Sequence, residues 1–594
     1  MSYSDSFPSS APVFQANFSS NGGRIDPRMT FSRPDSPIDT NKAAASAVHF
    51  WSNEKHLSSE NLLLDSKTGT ANWTEAASGS ASTPTITANH AASPDGTASQ
   101  ATRVQLNLNG ATDTSSNSRY NQSINLPSGN SVTFSVWLKS TDGASSYEIQ
   151  VYQADGNAAA ATVTGSWQKF TTTATAAASA AFGIRVRGGQ SPTNADTADV
   201  LMWGANVSTT GETVLNETTT QIHREYAPTL KSVATAGQPR FEYDPADGQS
   251  MGILLESQST NLLNYSEEFD NAYWSKYNTP VTANAGVAPS GQLVADLLVA
   301  ASTGSSTNHY LAKAISFTSG TTYTLSVYVK AAGYTKFNMR AGNPATWGVS
   351  TTFTLTGSGS ASVISGSGQI QSCGNGWFRC SVTETAASTS ATNILLGLVD
   401  NSGNLSFDGD DYSGVLLWGA QMEQASFASS YIKVEGSTAT RALESLSMTD
   451  SSLFGTGSGS VVVEAGPVNG TFYPTLFDLT DTTTSNRVLL QSGGTGTPTS
   501  LTVAADGNAS VGVVSEAVTM SDRKFAISYD TNSFKLVNNG GAVSEDTSGQ
   551  LPQQLSKLNI GTDNGGGGPL NGHIKRIAVY GEALSDTNLI SLTS

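Results

Sequence analysis

The sequence predicts an all-β chain: tandem antiparallel jelly-roll or β-sandwich domains behind an irregular N-terminal arm. Three observations lead there. Only 13% of residues are Asp, Glu, Lys or Arg, whereas solvated helix faces are usually written in Glu and Lys. Apolar residues recur at every second position in several segments, the period of a half-buried strand. A strand-rich segment also occurs twice, with its landmarks in the same order.

Residues 1–55 form the arm. Pro8, Pro12, Pro27, Pro34 and Pro37 punctuate it, and its densest patch is Arg24-Ile25-Asp26-Pro27-Arg28-Met29-Thr30-Phe31-Ser32-Arg33. Such an arm lies on something else, either the first module or another protein.

The first module spans 56–208. Val132, Phe134, Val136 and Leu138 alternate with Thr133, Ser135, Trp137 and Lys139, which predicts a half-buried strand. After a connector, 209–258, broken by Pro228, Pro239 and Pro245, the second module, 259–445, repeats the pattern. Asn261-Leu262-Leu263 answers Asn61-Leu62-Leu63, and Thr322–Lys330 answers Ser131–Lys139. Trp377 answers Trp167, and Trp418-Gly419-Ala420 answers Trp203-Gly204-Ala205. Four anchors in one order indicate a duplication, and modules of this length built of short alternating strands fit jelly-roll sandwiches. From 446 to 594 the pattern changes. Runs such as Val461-Val462-Val463 and a hairpin around Asp530-Thr531-Asn532 predict a further sandwich, closed by a buried strand at Ile574 and a short helix near Thr587–Leu592.

A length of 594 residues is too great for one core. The net charge of −17 argues against a nucleic-acid footprint, which needs clustered Lys and Arg, and against an anionic membrane surface. No apolar run is long enough to span a bilayer, and the first residues lack the basic and apolar regions of a secretory signal. Two cysteines cannot build a disulfide scaffold.

Pro239-Arg240-Phe241-Glu242-Tyr243-Asp244-Pro245, Gly252-Ile253-Leu254-Leu255-Glu256 and Ser259–Trp274 together resemble a signature of tailed-bacteriophage structural proteins. So do Leu416–Glu423, Ser430-Tyr431-Ile432, Thr440-Arg441-Ala442 and the arm patch. The modules resemble carbohydrate-binding jelly rolls, and Gly572–Tyr580 resembles the last strand of concanavalin-A/laminin-G-like sandwiches. The resemblance implies a virion structural protein assembled in the host cytoplasm, an appendage or fibre such as a tail fibre. Its partners would be other virion proteins, host-surface glycans and further copies of itself, often as a trimer. On that reading Arg24, Asp26, Arg28, Phe31 and Arg33 attach it to the particle. A head decoration protein and a polysaccharide depolymerase are the alternatives.

No catalytic residue is expected. The six histidines are scattered, no phosphate loop is present, and Glu267 and Glu268, as strand neighbours, would point to opposite faces. No cofactor is called for. Asp408, Asp410 and Asp411 are the one acidic cluster that could hold a structural calcium, and Asp411 aligns with Asp196; a solvated loop is the other reading. A turn at Asn375-Gly376 sets Cys373 opposite Phe378 rather than Cys380, which favours two free thiols over a disulfide. The aromatic positions are the functional lead. Trp137 aligns with Tyr328 and Trp167 with Trp377, with Lys169 and Arg379 two residues on. Rings on a sheet face can stack on sugars with polar neighbours bonding the hydroxyls; packing under loops or between subunits is the competing reading.

Overall fold

The computed structural model describes residues 12, 14–19, 28–32, 48–61, 63, 70, 72–94, 98–125, 131–153, 157–175, 179–189, 195–208, 222–233, 238–450, 454, 457–468, 473–491, 498–505, 508–517 and 523–594. They form antiparallel sheets stacked as β-sandwiches, with a helix at Asp586–Thr593 capped by Ser585.

In the first module one sheet runs in the order Gln168–Thr175, Ser131–Ser140, Thr197–Ser208, Ala101–Asn107, Ser82–Ala91. The other runs Asn157–Val163, Tyr147–Gln153, Ser179–Arg187, Asn117–Asn125, Thr74–Ser78. The second module repeats both orders strand for strand. Its first sheet is Trp377–Thr385, Thr322–Ala332, Gly414–Glu423, Leu293–Val299, Val281–Val287. Its other sheet is Ser350–Thr354, Lys336–Ala341, Ser390–Val399, Tyr310–Phe317, Ser275–Tyr277. One edge strand is added to each, Ser367–Ser372 and Ser360–Ser365. The alternating rows fill the space between the sheets: Val132, Phe134, Val136 and Leu138 in one module, Tyr323, Leu325, Val327 and Val329 in the other.

The repeated Trp-Gly-Ala marks a bulge. Trp203 faces Trp137 but Asn206 faces Ser135; Trp418 faces Tyr328 but Gln421 faces Ser326, so one extra residue enters each time. The glycines take left-handed φ values of 61° at Gly204 and 63° at Gly419, a conformation that side chains with a Cβ resist.

The last sandwich is assembled from three stretches of chain. Phe14–Asn17 and Ser250–Leu255 pair end to end along one edge of Gly572–Tyr580, whose other edge is held by Gly459–Val468. Met29–Ser32 extends the opposite sheet by pairing with Ser445–Thr449. Phe14, Phe18, Met29, Phe31, Phe241, Ile253 and Leu255 share one core with Val461, Ile527 and Ile574. This corrects the expectation that the arm lies on the first module or on another protein. Phe14–Asn17 and Met29–Ser32 of the arm, and Arg240–Tyr243 and Ser250–Leu255 of the connector, are strands of the C-terminal sandwich, so residues 446–594 are not a separate unit. Phe14, Ala16 and Phe18, and Met29 and Phe31, sit at period two, but the runs are short and stand among prolines.

The modules are inserted into this frame. The first lies between Val48–Asn61 and Ile222–Val233, which pair as a two-stranded ribbon. The second lies between Ser250–Leu255 and Ser445–Thr449.

Candidate functional site

The aromatic rows predicted to meet sugar are mostly covered. Tyr328 and Trp377 are buried in a cluster with Trp418, Tyr431 and Cys373. The ribbon closes over them: Trp51 and Leu230 join the cluster, the Leu230 amide donates to the Pro289 carbonyl at 2.9 Å and the His49 amide to the Tyr431 carbonyl at 2.9 Å. Burial holds the Tyr328 phenol well above its ordinary pKa, against the pull of Arg379. Arg379 does sit beside Tyr328, 5.4 Å from its ring centroid, and donates to the Ser429 carbonyl at 2.6 Å.

In the first module the same face meets the second module. Tyr412 packs on Trp137 at 4.5 Å and on Trp203 at 6.3 Å between ring centroids, and half-buried Trp167 joins them. Lys169 is exposed opposite Trp137. These rows therefore join parts of the chain, and stacking on sugar is corrected at Tyr328 and Trp377, where no ring face is open. Burial of such a ring removes roughly 150–250 Å², about 4–6 kcal/mol at 25 cal/mol per Å².

The acidic cluster caps a loop. Asp408 accepts from the Thr303 and Gly304 amides, Asp411 from that of Ser302, and Asp410 from those of Tyr412 and Ser413. Among the described residues no group of three or more His, Cys, Asp or Glu could hold a metal ion. The shared acid has a shared duty: Asp196 accepts from the Gly110 amide at 2.6 Å in the first module. Of the attachment residues, Phe31 is buried in the C-terminal core and Arg28 lies 5.1 Å over the Phe14 ring; Arg24, Asp26 and Arg33 lie outside the described residues. Cys373 and Cys380 are free and buried. The turn between their strands spans three residues rather than two, so Cys373 pairs with Trp377, not with Phe378.

Three signature residues, Arg240, Glu256 and Arg441, meet Glu444 at the root of the second module. Arg240 donates to Glu444 at 2.9 Å and to Glu256 at 2.7 Å, and Arg441 lies 3.0 Å from Glu256. All four are buried. Burial alone would raise the Glu256 carboxyl; Arg441 and Arg240 outweigh it and hold it well below the usual carboxylate range. Next to this lock a cavity of about 180 Å³ is lined by His49, Tyr328, Arg379 and the pair His573–Glu242, which is 2.7 Å apart. A second, of about 470 Å³ beneath the ribbon, is lined by Lys231, Glu267, Ser290, Trp418 and Lys433. Glu267 is held by Lys433 at 3.0 Å and by the Tyr431 hydroxyl at 2.9 Å.

The other sheet of each module carries a different surface. In the second module Gly397 faces Tyr310 on one side and Asn338 on the other. Tyr277, 48% exposed, stacks on Tyr310 at 4.9 Å and 11°. Arg340 lies 5.6 Å from the same ring and bonds Asn338 at 2.8 Å. A Cβ at Gly397 would come within 2.9 Å of that guanidinium, so the glycine lets it lie across the sheet. In the first module Gly183 holds the same place, between Asn121 and Tyr152, with Arg119, Arg185 and Gln150 in the next row. Sequence reasoning missed both faces. Their signal was the complementary half of the alternation: Gln150 and Tyr152 around buried Val151, Arg185 and Arg187 around buried Val186.

Fold and faces define a multi-domain antiparallel β-sandwich protein whose modules present polar, aromatic sheet faces. No protein-family model matches the chain, and no curated protein matches it. Solved structures resemble parts of it. Domain 4 of AbnA, a GH43 extracellular arabinanase from Geobacillus stearothermophilus in complex with arabinotriose, is 18% identical, covering 26% of this chain and 73% of its own, with a TM-score of 0.22. The CBM40 of the Ruminococcus gnavus IT-sialidase, bound to alpha2,3 sialyllactose, is 17% identical over 23% of this chain and 84% of its own, with a TM-score of 0.21. The tandem CBM22-1–CBM22-2 of Paenibacillus barcinonensis Xyn10C is 13% identical over 62% of this chain and 99% of its own, with a TM-score of 0.19.

Proposed function

We propose that this chain is a non-enzymatic structural protein of a tailed-bacteriophage particle, an appendage or fibre subunit that presents its sandwiches to host-surface glycans. The particle assignment rests on the signature residues, of which Arg240, Glu256 and Arg441 form the lock with Glu444. The glycan reading is carried by one observation: the Tyr277–Tyr310 stack with Arg340 and Asn338 beside it. An exposed ring offers a flat apolar face to sugar C–H groups, and the flanking amide and guanidinium can bond hydroxyls. Self-association, as a trimer, would multiply weak sites into firm attachment.

A glycan array probed with the full chain tests the reading. Wild type should bind a defined set of glycans, and Tyr277→Ala with Tyr310→Ala should reduce that binding at least tenfold while Trp137→Ala leaves it intact. Equal loss from Trp137→Ala would return the site to the aromatic rows, and an array on which wild type binds nothing would end the glycan reading.

A further inference from the structure

Two arginines of the first module, Arg119 and Arg185, face each other and form no ion pair among the described residues. Arg185 faces Arg119 directly across the ladder Ser179–Arg187 with Asn117–Asn125, an arrangement of like charges that is unfavourable by itself. Arg187, which donates to the Thr114 carbonyl at 2.7 Å, stands two residues further along the same face. Each of the facing guanidinium groups meets a neutral amide: Arg119 donates to Asn117 at 2.6 Å and Arg185 to Gln150 at 2.8 Å. Each carries five N–H groups, so most of their donors are left over. Neither is in an ion pair among the described residues, and half-buried Glu148, on the neighbouring strand, forms none with them. Arg185 also lies 4.4 Å over the Tyr152 ring. Burial, then Arg187 and Arg119, lower its pKa against the favourable pull of Tyr152. In the adjoining row Asn121 and Tyr152 are themselves buried, yet among the described residues the Asn121 Oδ1 and the Tyr152 hydroxyl have no hydrogen-bond partner. Unmet buried polar atoms are costly. An anion bonded by the two guanidinium groups, carried by a molecule with hydroxyls for Asn121 and Tyr152, would relieve both.

We propose that the face built by Arg119, Arg185, Asn121 and Tyr152 binds an acidic saccharide, its anionic group held between Arg119 and Arg185 and its hydroxyls by Asn121 and Tyr152. This rests on the glycan-contact reading and gives it a chemical class. The chain's net charge of −17 keeps the attraction local, which separates this face from a general polyanion surface. The second module has tyrosine and asparagine where the first has asparagine and tyrosine beside the central glycine, and its exposed ring suits neutral sugars.

The test uses the full chain and calorimetric titration with trigalacturonate, its carboxyl-reduced neutral form, a sulfated disaccharide, inorganic phosphate and a short DNA duplex. Trigalacturonate or the sulfated disaccharide should bind at least tenfold more tightly than the neutral form, and which of the two binds identifies the anion. Arg119→Gln with Arg185→Gln should remove that preference, while Arg119→Lys with Arg185→Lys keeps part of it at unchanged melting temperature. Equal binding of charged and neutral forms would overturn the acidic class and leave glycan contact standing, as would binding of neutral sugars that depends on Tyr277 alone. Phosphate as tightly bound as any saccharide, or DNA bound preferentially, would overturn it too. Binding to none of these probes would overturn this inference, whereas the array judges glycan contact separately.

Discussion

Removing residues 1–33 should unfold the opposite end of the protein. The deletion takes away two strands, Phe14–Asn17 from the edge of Gly572–Tyr580 and Met29–Ser32 from the edge of Ser445–Thr449. With them go Phe14, Phe18, Met29 and Phe31, each exposed by 7% or less. Burial of one such side chain contributes roughly 1.5–3 kcal/mol, so the four make about 6–12 kcal/mol. A domain's whole stability is about 5–15 kcal/mol. The C-terminal sandwich should therefore lose its cooperative transition in calorimetry while both modules keep theirs. A shorter perturbation grades the effect: Phe14→Ala alone should cost about 3–5 kcal/mol. A truncated chain whose sandwich melts within about 2 °C of the full chain, a shift worth no more than ~1 kcal/mol, would refute the strand assignment.

The buried lock supplies the next prediction. Arg240→Ala removes the buried guanidinium that bridges Glu444 and Glu256 and should destabilise by about 3–5 kcal/mol in denaturant titration, whereas Arg240→Met with Glu444→Met, which leaves Arg441 to Glu256, should recover most of that. The depressed Glu256 carboxyl stabilises the fold fully above the ordinary carboxylate pKa, and that contribution is lost as pH falls through and below that range. Melting temperature against pH should show the loss there, and Glu256→Gln should flatten it. Burial pushes the Cys373 thiol up to about 12 and Cys380 well above its usual value, so both should resist iodoacetamide at neutral pH until the chain is denatured; rapid native labelling would contradict their burial.

The duplication was legible because each anchor has a physical duty that both copies must meet. The Trp-Gly-Ala bulge needs a left-handed glycine, and Val132–Leu138 and Tyr323–Val329 need period two to fill a core. The partners of exposed-looking rings were not legible. Trp137 and Tyr328 alternate with apolar residues as surface residues do, and only the return of the ribbon and of Tyr412 covers their face. The arm was hidden for a related reason: Phe14 and Phe31 pair with residues more than 400 positions away, and local periodicity over four residues cannot announce such a partner. Arg240, Glu256 and Arg441 stood out in the sequence and Glu444 did not; the joining of the four into one lock depends on the second module leaving and re-entering the frame at a single place.

The central functional claim is that glycans meet the sheet faces around Gly397 and Gly183, and that the aromatic rows hold the molecule together. Hydrogen exchange of the full chain, with and without a saturating glycan taken from the array, tests this directly. Slowed exchange is expected in Tyr310–Phe317 and Lys336–Ala341, or in Tyr147–Gln153 and Ser179–Arg187 for an acidic ligand. Protection confined to Ser131–Ser140 and Thr322–Ala332 would contradict the account.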